Sequence, residues 1–231
     1  MTEETLAVTD GRADGALLLR HANDHLAESL SQRGFPTVSI FCRGLDGRGM
    51  WADSDAVYGG YLATKHLLEL GHRRIAYLGY KTSVESYGRR LQGYLQAHAE
   101  FGVEPDPELR PTGLWERSSC EEFQSTMTML QSDNPPTACF CFYDGIAVRL
   151  LELASEIGLS IPEDLSIVGY DNSLRSNFTK PPLTTVQQPI AEIAAYGLKM
   201  LADLIDGNEI AEPQVIMKPQ LVVRESTAAR A

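Results

Sequence analysis

Short, unbroken apolar runs punctuate the chain. ALLLR at 16–20, TVSIF at 37–41, RIAYLG at 74–79, ACFCF at 138–142, LSIVGY at 165–170 and TTVQQ at 184–188 have the length of strands. Their apolar character is continuous rather than alternating, as in strands buried on both faces of a parallel sheet. Most are separated by segments of helical length, with their own stop and start signals. Asp55 precedes AVYGGYLATKHLLEL and Gly71 closes it; Asp144 opens GIAVRLLELASEIG, which reads Asp144 as a helix cap, and Gly158 ends it. After Pro189, residues Ile190, Ile193, Ala194, Leu198, Leu201 and Ile205 recur at helical spacing up to Gly207. The order predicts an α/β fold with parallel sheets flanked by helices. CRGLDGRGMWAD at 42–53 and VEPDPELRPTG at 103–113 read as linkers, and no internal repeat is evident.

One strand end raises a question of chemistry. The run LSIVGY stops in Asp171, Asn172 and Ser173. Such short polar side chains are good turn-formers, because they bond nearby backbone. Open α/β sheets also bind ligands just beyond the carboxyl ends of their strands. The strand end alone leaves both readings open, and the polar stretch 171–183 that follows is long enough to be functional.

Composition narrows the function. A formal charge of −11 over 231 residues leaves no basic field for phosphate, so nucleic acid and anionic membrane surfaces are poor partners for this chain itself. Cys42, Cys120, Cys139 and Cys141 show no C-x-x-C spacing, which fits a reducing compartment. The sequence holds no long apolar span and its first residues lack the pattern of a signal peptide, so the expected address is the cytoplasm. His21 and His25 are four apart but lack a third ligand, and no metal or cofactor is expected. No nucleophile, base and orienting group stand out together, so the chain is not read as an enzyme.

The ordered set DGALLL, FPTVSIF, LATKHLLELGHRRIAYLG, RRLQGY, PTACFCFYDGIAVRLLELASEIGLSIPEDLSIVGYDNS, PPLTTVQQP and LVVRES resembles the core of LacI/GalR transcriptional regulators from Asp14 to Thr227. The resemblance implies two Rossmann-like lobes of the periplasmic-binding-protein-like type I fold, with a small-molecule effector, a sugar or similar polar compound, in the cleft between them. Residues 1–81 with 189–210 are expected in one lobe and 82–188 with 211–231 in the other. The family's helix-turn-helix headpiece, and the first strand, helix and strand of its N-terminal lobe, have no counterpart here. The N-terminal lobe is therefore expected to be incomplete. Operator DNA would be read only through that headpiece. The resemblance also implies a homodimer.

Family positions supply the candidate ligand contacts. Asp171 matches an acid that accepts effector hydroxyls, and Arg90, in ESYGRRLQGY, matches a ligand-contacting arginine before Leu-x-Gly. Ser86 lies one helical turn before Arg90 on the same face. Trp115 aligns with an aromatic that stacks on the effector, and Gln188 with a position between lobes that sometimes reaches it. Tyr143 stands where some relatives carry a ligand-binding asparagine. Two other readings are a solute-binding protein of a sugar transporter, and a truncated fragment that binds nothing.

Overall fold

The computed structural model describes residues 10–19, 25–43, 49–79, 85–110 and 120–230. The chain forms two compact units. Met1–Asp55, Ser83–Glu85 and Pro189–Lys218 make the first, and Ala56–Thr82, Ser86–Gln188 and Pro219–Ala231 make the second.

The first unit is built on β1 (Ala16–Leu19), β2 (Thr37–Ile40), β3 (Trp51–Ser54) and β8 (Gln214–Met217). They form one four-stranded sheet in the order β1-β2-β3-β8, and every pairing is parallel. α1 (His25–Gln32) packs on β2, and α6 (Ile190–Ile205) runs across β1, β2 and β3. Its small core joins Ile40, Ala52 and Ile193 with Leu17, Tyr196 and Met217. α6 is able to lie so close because Gly197 faces Ile40, whose methyl group a side chain there would strike.

The second unit carries β4 (Ile75–Leu78), β5 (Ala138–Cys141), β6 (Ser166–Tyr170), β7 (Thr184–Gln187) and β9 (Gln220–Val222), in that order. β4 to β7 are parallel, and β9 returns antiparallel beside β7. Residues on successive positions of these strands feed different cores. Ile75, Tyr77, Ala138, Phe140, Val168 and Tyr170 pack with residues of α2 (Ala56–Glu69) and α3 (Glu85–Glu100). Ala76, Leu78, Cys139, Cys141 and Ile167 pack with residues of α5 (Asp144–Glu156), together with Leu130 at the end of α4 (Cys120–Leu130). With both faces covered, strand alternation still exists but has no polar side to display. Cys139 and Cys141 act here as small buried hydrophobes.

Glycines decide two features. Gly71 and Gly158 take positive φ at the ends of α2 and α5, where Gly71 N–H reaches the Leu68 carbonyl and Gly158 N–H the Ser155 carbonyl. Where α2 meets α3, a Cβ on Gly60 would collide with the Arg90 carbonyl, and one on Gly93 with the Val57 carbonyl. The two helices thus meet backbone to backbone.

The residues after β9 stitch the second unit together. Ser226 Oγ accepts from Thr184 N–H at 2.8 Å and donates to the Ile167 carbonyl at 2.6 Å. Ala228 N–H reaches Ser166 Oγ at 3.1 Å, and Arg230 N–H the Leu70 carbonyl at 2.7 Å. Buried His72 bridges Thr137 Oγ1 at 2.9 Å and the Ala228 carbonyl at 3.1 Å. Since the carbonyl only accepts, Nε2 carries the proton and Nδ1 receives the Thr137 hydroxyl.

Three expectations change. The stretch 42–53 is no mere linker, because its end is β3, a central strand with all four residues buried. Residues 56–81, expected with the first unit, belong to the second: β4 hydrogen-bonds to β5, and α2 packs on β5, β6, β7 and β9. Residues 211–218, expected with the second unit, belong to the first, where β8 extends β3. Among the described residues no helix is long and apolar enough to cross a membrane.

Candidate functional site

The carboxyl end of β6 makes an unusual turn. Asp171 and Asn172 both adopt positive φ, +104° and +50°, a conformation that costs a non-glycine residue about 1 kcal/mol or more. Three successive backbone donors hold it. Asp171 N–H bonds the Val186 carbonyl at 2.8 Å, Asn172 N–H meets Thr185 Oγ1 at 3.3 Å, and Ser173 N–H meets Asp144 Oδ2 at 2.6 Å. The Asn172 side chain is tied as well, accepting from Arg224 Nη2 at 2.7 Å and donating to Gln187 Oε1 at 3.0 Å.

This turn presents Asp171 to two other predicted residues. Gln188, just past the end of β7, donates its amide to Asp171 Oδ1 at 2.7 Å. Arg90 Nη2 lies 3.6 Å from the same oxygen. The Arg90 side chain is only 7% exposed, whereas that of Asp171 is 34% exposed and so within reach of a solute. The guanidinium carbon stands 3.6 Å from the Tyr170 ring centroid and 4.4 Å from that of Phe142. Nη1 donates to the Phe142 carbonyl. Nε is buried and has no hydrogen-bond partner among the described residues. A delocalised cation tolerates this aromatic lining better than an ammonium would.

Electrostatics at the turn favour neutralisation. Burial pushes the Asp171 carboxyl up to about 6, opposed first by the Arg90 charge and then by the Gln188 bond, while Asp144 adds a further upward push. Asp144 is also raised by burial, against bonds from Thr185 and Ser173.

The remaining predicted residues are placed as follows. Ser86 is half-buried on α3, one turn before Arg90. Tyr143 is the residue before α5, with its ring edge-on to Phe142 at 6.1 Å. Trp115 and His21 lie outside the described residues, as does the His25 side chain. Asp144 is not the cap it was expected to be. The cap position belongs to Tyr143, and the Asp144 carboxylate faces Ser173 N–H and the Thr185 hydroxyl, both at 2.6 Å. Sequence reasoning missed the rings of Phe142 and Tyr170, although both sit at the ends of recognised strands.

Two units with largely parallel sheets, one of them gathering acid, amide and guanidinium at its strand ends, make an α/β protein whose polar groups converge where open sheets of this class bind ligands. Known proteins narrow that class. Residues 64–227 match the periplasmic binding protein-like domain. The arabinose metabolism transcriptional repressor of Halalkalibacterium halodurans is 32% identical over 96% of this chain and 62% of its own length. The regulator DegA of Bacillus subtilis is 38% identical over 75% of this chain and 51% of its own length. The chain thus spans about half to two thirds of the curated relatives it matches. Among solved structures, a LacI family regulatory protein from Chloroflexus aggregans superposes with a TM-score of 0.87 at 29% identity, covering all of this chain and 85% of that one. A LacI family regulator from Enterococcus faecium with bound ribose gives 0.83 at 30% identity, covering 99% and 85%. A CelR–cellobiose complex gives 0.83 at 31% identity, covering 93% and 66%. The chain belongs to the LacI/GalR family, as a core of the periplasmic-binding-protein-like type. These relatives are transcriptional regulators rather than enzymes.

Proposed function

We propose that this chain is the effector-sensing domain of a LacI-family transcriptional regulator, and that its effector is a sugar or similar small polar molecule held at the strand ends where Asp171, Arg90 and Gln188 gather. The carrying observation is the pairing of a buried Arg90, whose Nε has no hydrogen-bond partner among the described residues, and a partly exposed Asp171 at the end of parallel strands. A carboxylate takes two hydroxyl donors at once, and a guanidinium supplies donors in a fixed plane. Adjacent hydroxyls on one ring suit that combination. Gln188 and Tyr143 join the contact set in this reading, with Ser86 one turn from Arg90 and Trp115 as the stacking aromatic.

The net charge of −11 supports assigning operator DNA to a basic headpiece of the parent protein rather than to these residues. A symmetric homodimer is the matching assembly. Binding then acts by favouring one conformational state of the protein over another, by no more than the difference in affinity between them.

The test is a thermal-shift screen with cellobiose, ribose and L-arabinose, since a ligand bound only by the native state raises its stability. With the sugar that binds, Arg90→Ala and Asp171→Ala should each weaken affinity about 10- to 100-fold, the range expected for losing a hydrogen bond to a charged group. Unchanged affinity in both variants, measured by calorimetry, would defeat the assignment.

A further inference from the structure

Asp144 is the buried acid of this region that no ligand role uses. It is 2% exposed, on the first turn of α5, and makes no capping bond. Its two oxygens do different things. Oδ2 receives Ser173 N–H at 2.6 Å, the third donor of the strained turn. Oδ1 receives the Thr185 hydroxyl, also at 2.6 Å, and that hydroxyl in turn accepts Asn172 N–H at 3.3 Å. Two of the three backbone donors between Asp171 and Ser173 therefore end, directly or through Thr185, on one carboxylate. Gly169 belongs to the same arrangement, because a Cβ there would collide with Asp144 Oδ1. The strand leaves out a side chain so that the acid can reach the turn.

We propose that Asp144 is the positioning residue of the ligand site: it holds the 171–173 turn, with Asp171 and Asn172 at positive φ, so that the Asp171 carboxylate faces Arg90 and Gln188. This rests on the reading of Asp171 as a ligand contact. Asp144 also contributes to the local charge. The groups that face Asp171 are Arg90 from α3, Asp144 from α5 and the Gln188 amide after β7, while Arg224 donates a hydrogen bond to the neighbouring Asn172 oxygen. Asp144 is the only second negative charge in that set. Burial is the main cause of the raised Asp171 carboxyl, and the Asp144 charge adds a smaller push in the same direction. Asparagine at 144 could accept only one of the two bonds, and its NH₂ would oppose a donor at the other.

The experiment needs no ligand, so it reads this proposal separately from the ligand assignment. Protein labelled with ¹³C at aspartate carboxyls is titrated from pH 3 to 8, with the Asp171 signal assigned by Asp171→Asn. Hydrogen exchange of the Asn172 and Ser173 amides is followed in parallel. In the unaltered protein Asp171 should titrate at about 6. In Asp144→Asn the midpoint should fall by about half a unit or more as the like charge is removed, and Ser173 N–H should exchange at least about tenfold faster as its charged acceptor is lost. Thr185→Val keeps the charge but cuts the relay, and should speed exchange at Asn172. A midpoint and Ser173 exchange rate both unchanged in Asp144→Asn would overturn the proposal. If that variant does not fold, unchanged exchange at Asn172 in Thr185→Val would overturn it instead. Failure of all three sugars to bind the unaltered protein counts against Asp171 as a ligand contact and hence against the site Asp144 is said to position, even where the turn itself responds as expected.

Discussion

At the scale of single residues, the Asp171 carboxyl stands at about 6 because burial outweighs the help it receives from Arg90 and Gln188. Its folded value lies above the unfolded one near 4, so the sign is that of a group which stabilises when protonated. That contribution is complete below pH 4 and is lost as pH rises through about 6. The charge that would receive a hydroxyl is thus carried at a cost to stability. Asp171→Asn should raise the melting temperature at pH 7.5 relative to the unaltered protein, with the gain vanishing near pH 4; a thermal melt at each pH checks this. The same variant should bind sugar more weakly at pH 7.5, since an amide offers one acceptor oxygen where the carboxylate offers two. A gain in both stability and affinity would contradict the account. Much of this was legible beforehand, since Asp171, Arg90 and Gln188 were each singled out and the structure brings them together. The aromatic cradle was not legible, because Phe142 and Tyr170 read as the last residues of buried strands, where an aromatic is ordinary core.

The elements show why some of the fold was readable and some was not. α2 and α3 meet at Gly60 and Gly93, and the backbone carbonyl that Gly60 approaches is that of Arg90. The crossing therefore fixes the height of the arginine as well as the packing of the helices. Gly60→Ala or Gly93→Ala should cost about 1 to 3 kcal/mol by forcing the helices apart, measurable by denaturant unfolding, and should weaken sugar binding through the displaced guanidinium. Binding that survives an equal loss of stability would separate the two roles. The short apolar strands of the second unit were visible because both of their faces are covered, leaving unbroken hydrophobic runs. β3 was not, since Trp51-Ala-Asp-Ser is half polar; Asp53 meets Arg43 at 3.0 Å and Ser54 N–H at 2.7 Å, so its acid is accommodated by partners distant or adjacent in sequence. β8 was missed for the opposite reason, being an edge strand that is exposed at Gln214 and Ile216. The placement of α2 depended on contacts with β7 and β9, more than a hundred residues further along, which no local pattern encodes.

At the scale of the molecule, each unit is assembled from separated lengths of chain, and one seam of the second unit carries two histidines that respond to acid. Burial lowers the His72 and His66 pKa values, and both rings pair with the residues after β9, His66 with Thr227 and His72 with Ala228. Because the folded values lie below the unfolded one near 6.5, their contribution is complete above that pH and is lost as pH falls through the lowered values. His72→Gln should therefore lose less melting temperature than the unaltered protein as pH falls below 6.5; an equal loss in both would show that His72 contributes nothing to acid sensitivity. The same seams have a consequence for how the protein is made. β8 at 214–217 closes the first sheet, while β9 and the residues through Arg230 close the second. Domains strung one after another can fold in turn as they leave the ribosome. Here neither unit is complete until residues 214–230 have emerged, so the two must wait for the same stretch of nascent chain, and a ribosome that stalls before it releases two open sheets rather than one finished domain and one missing.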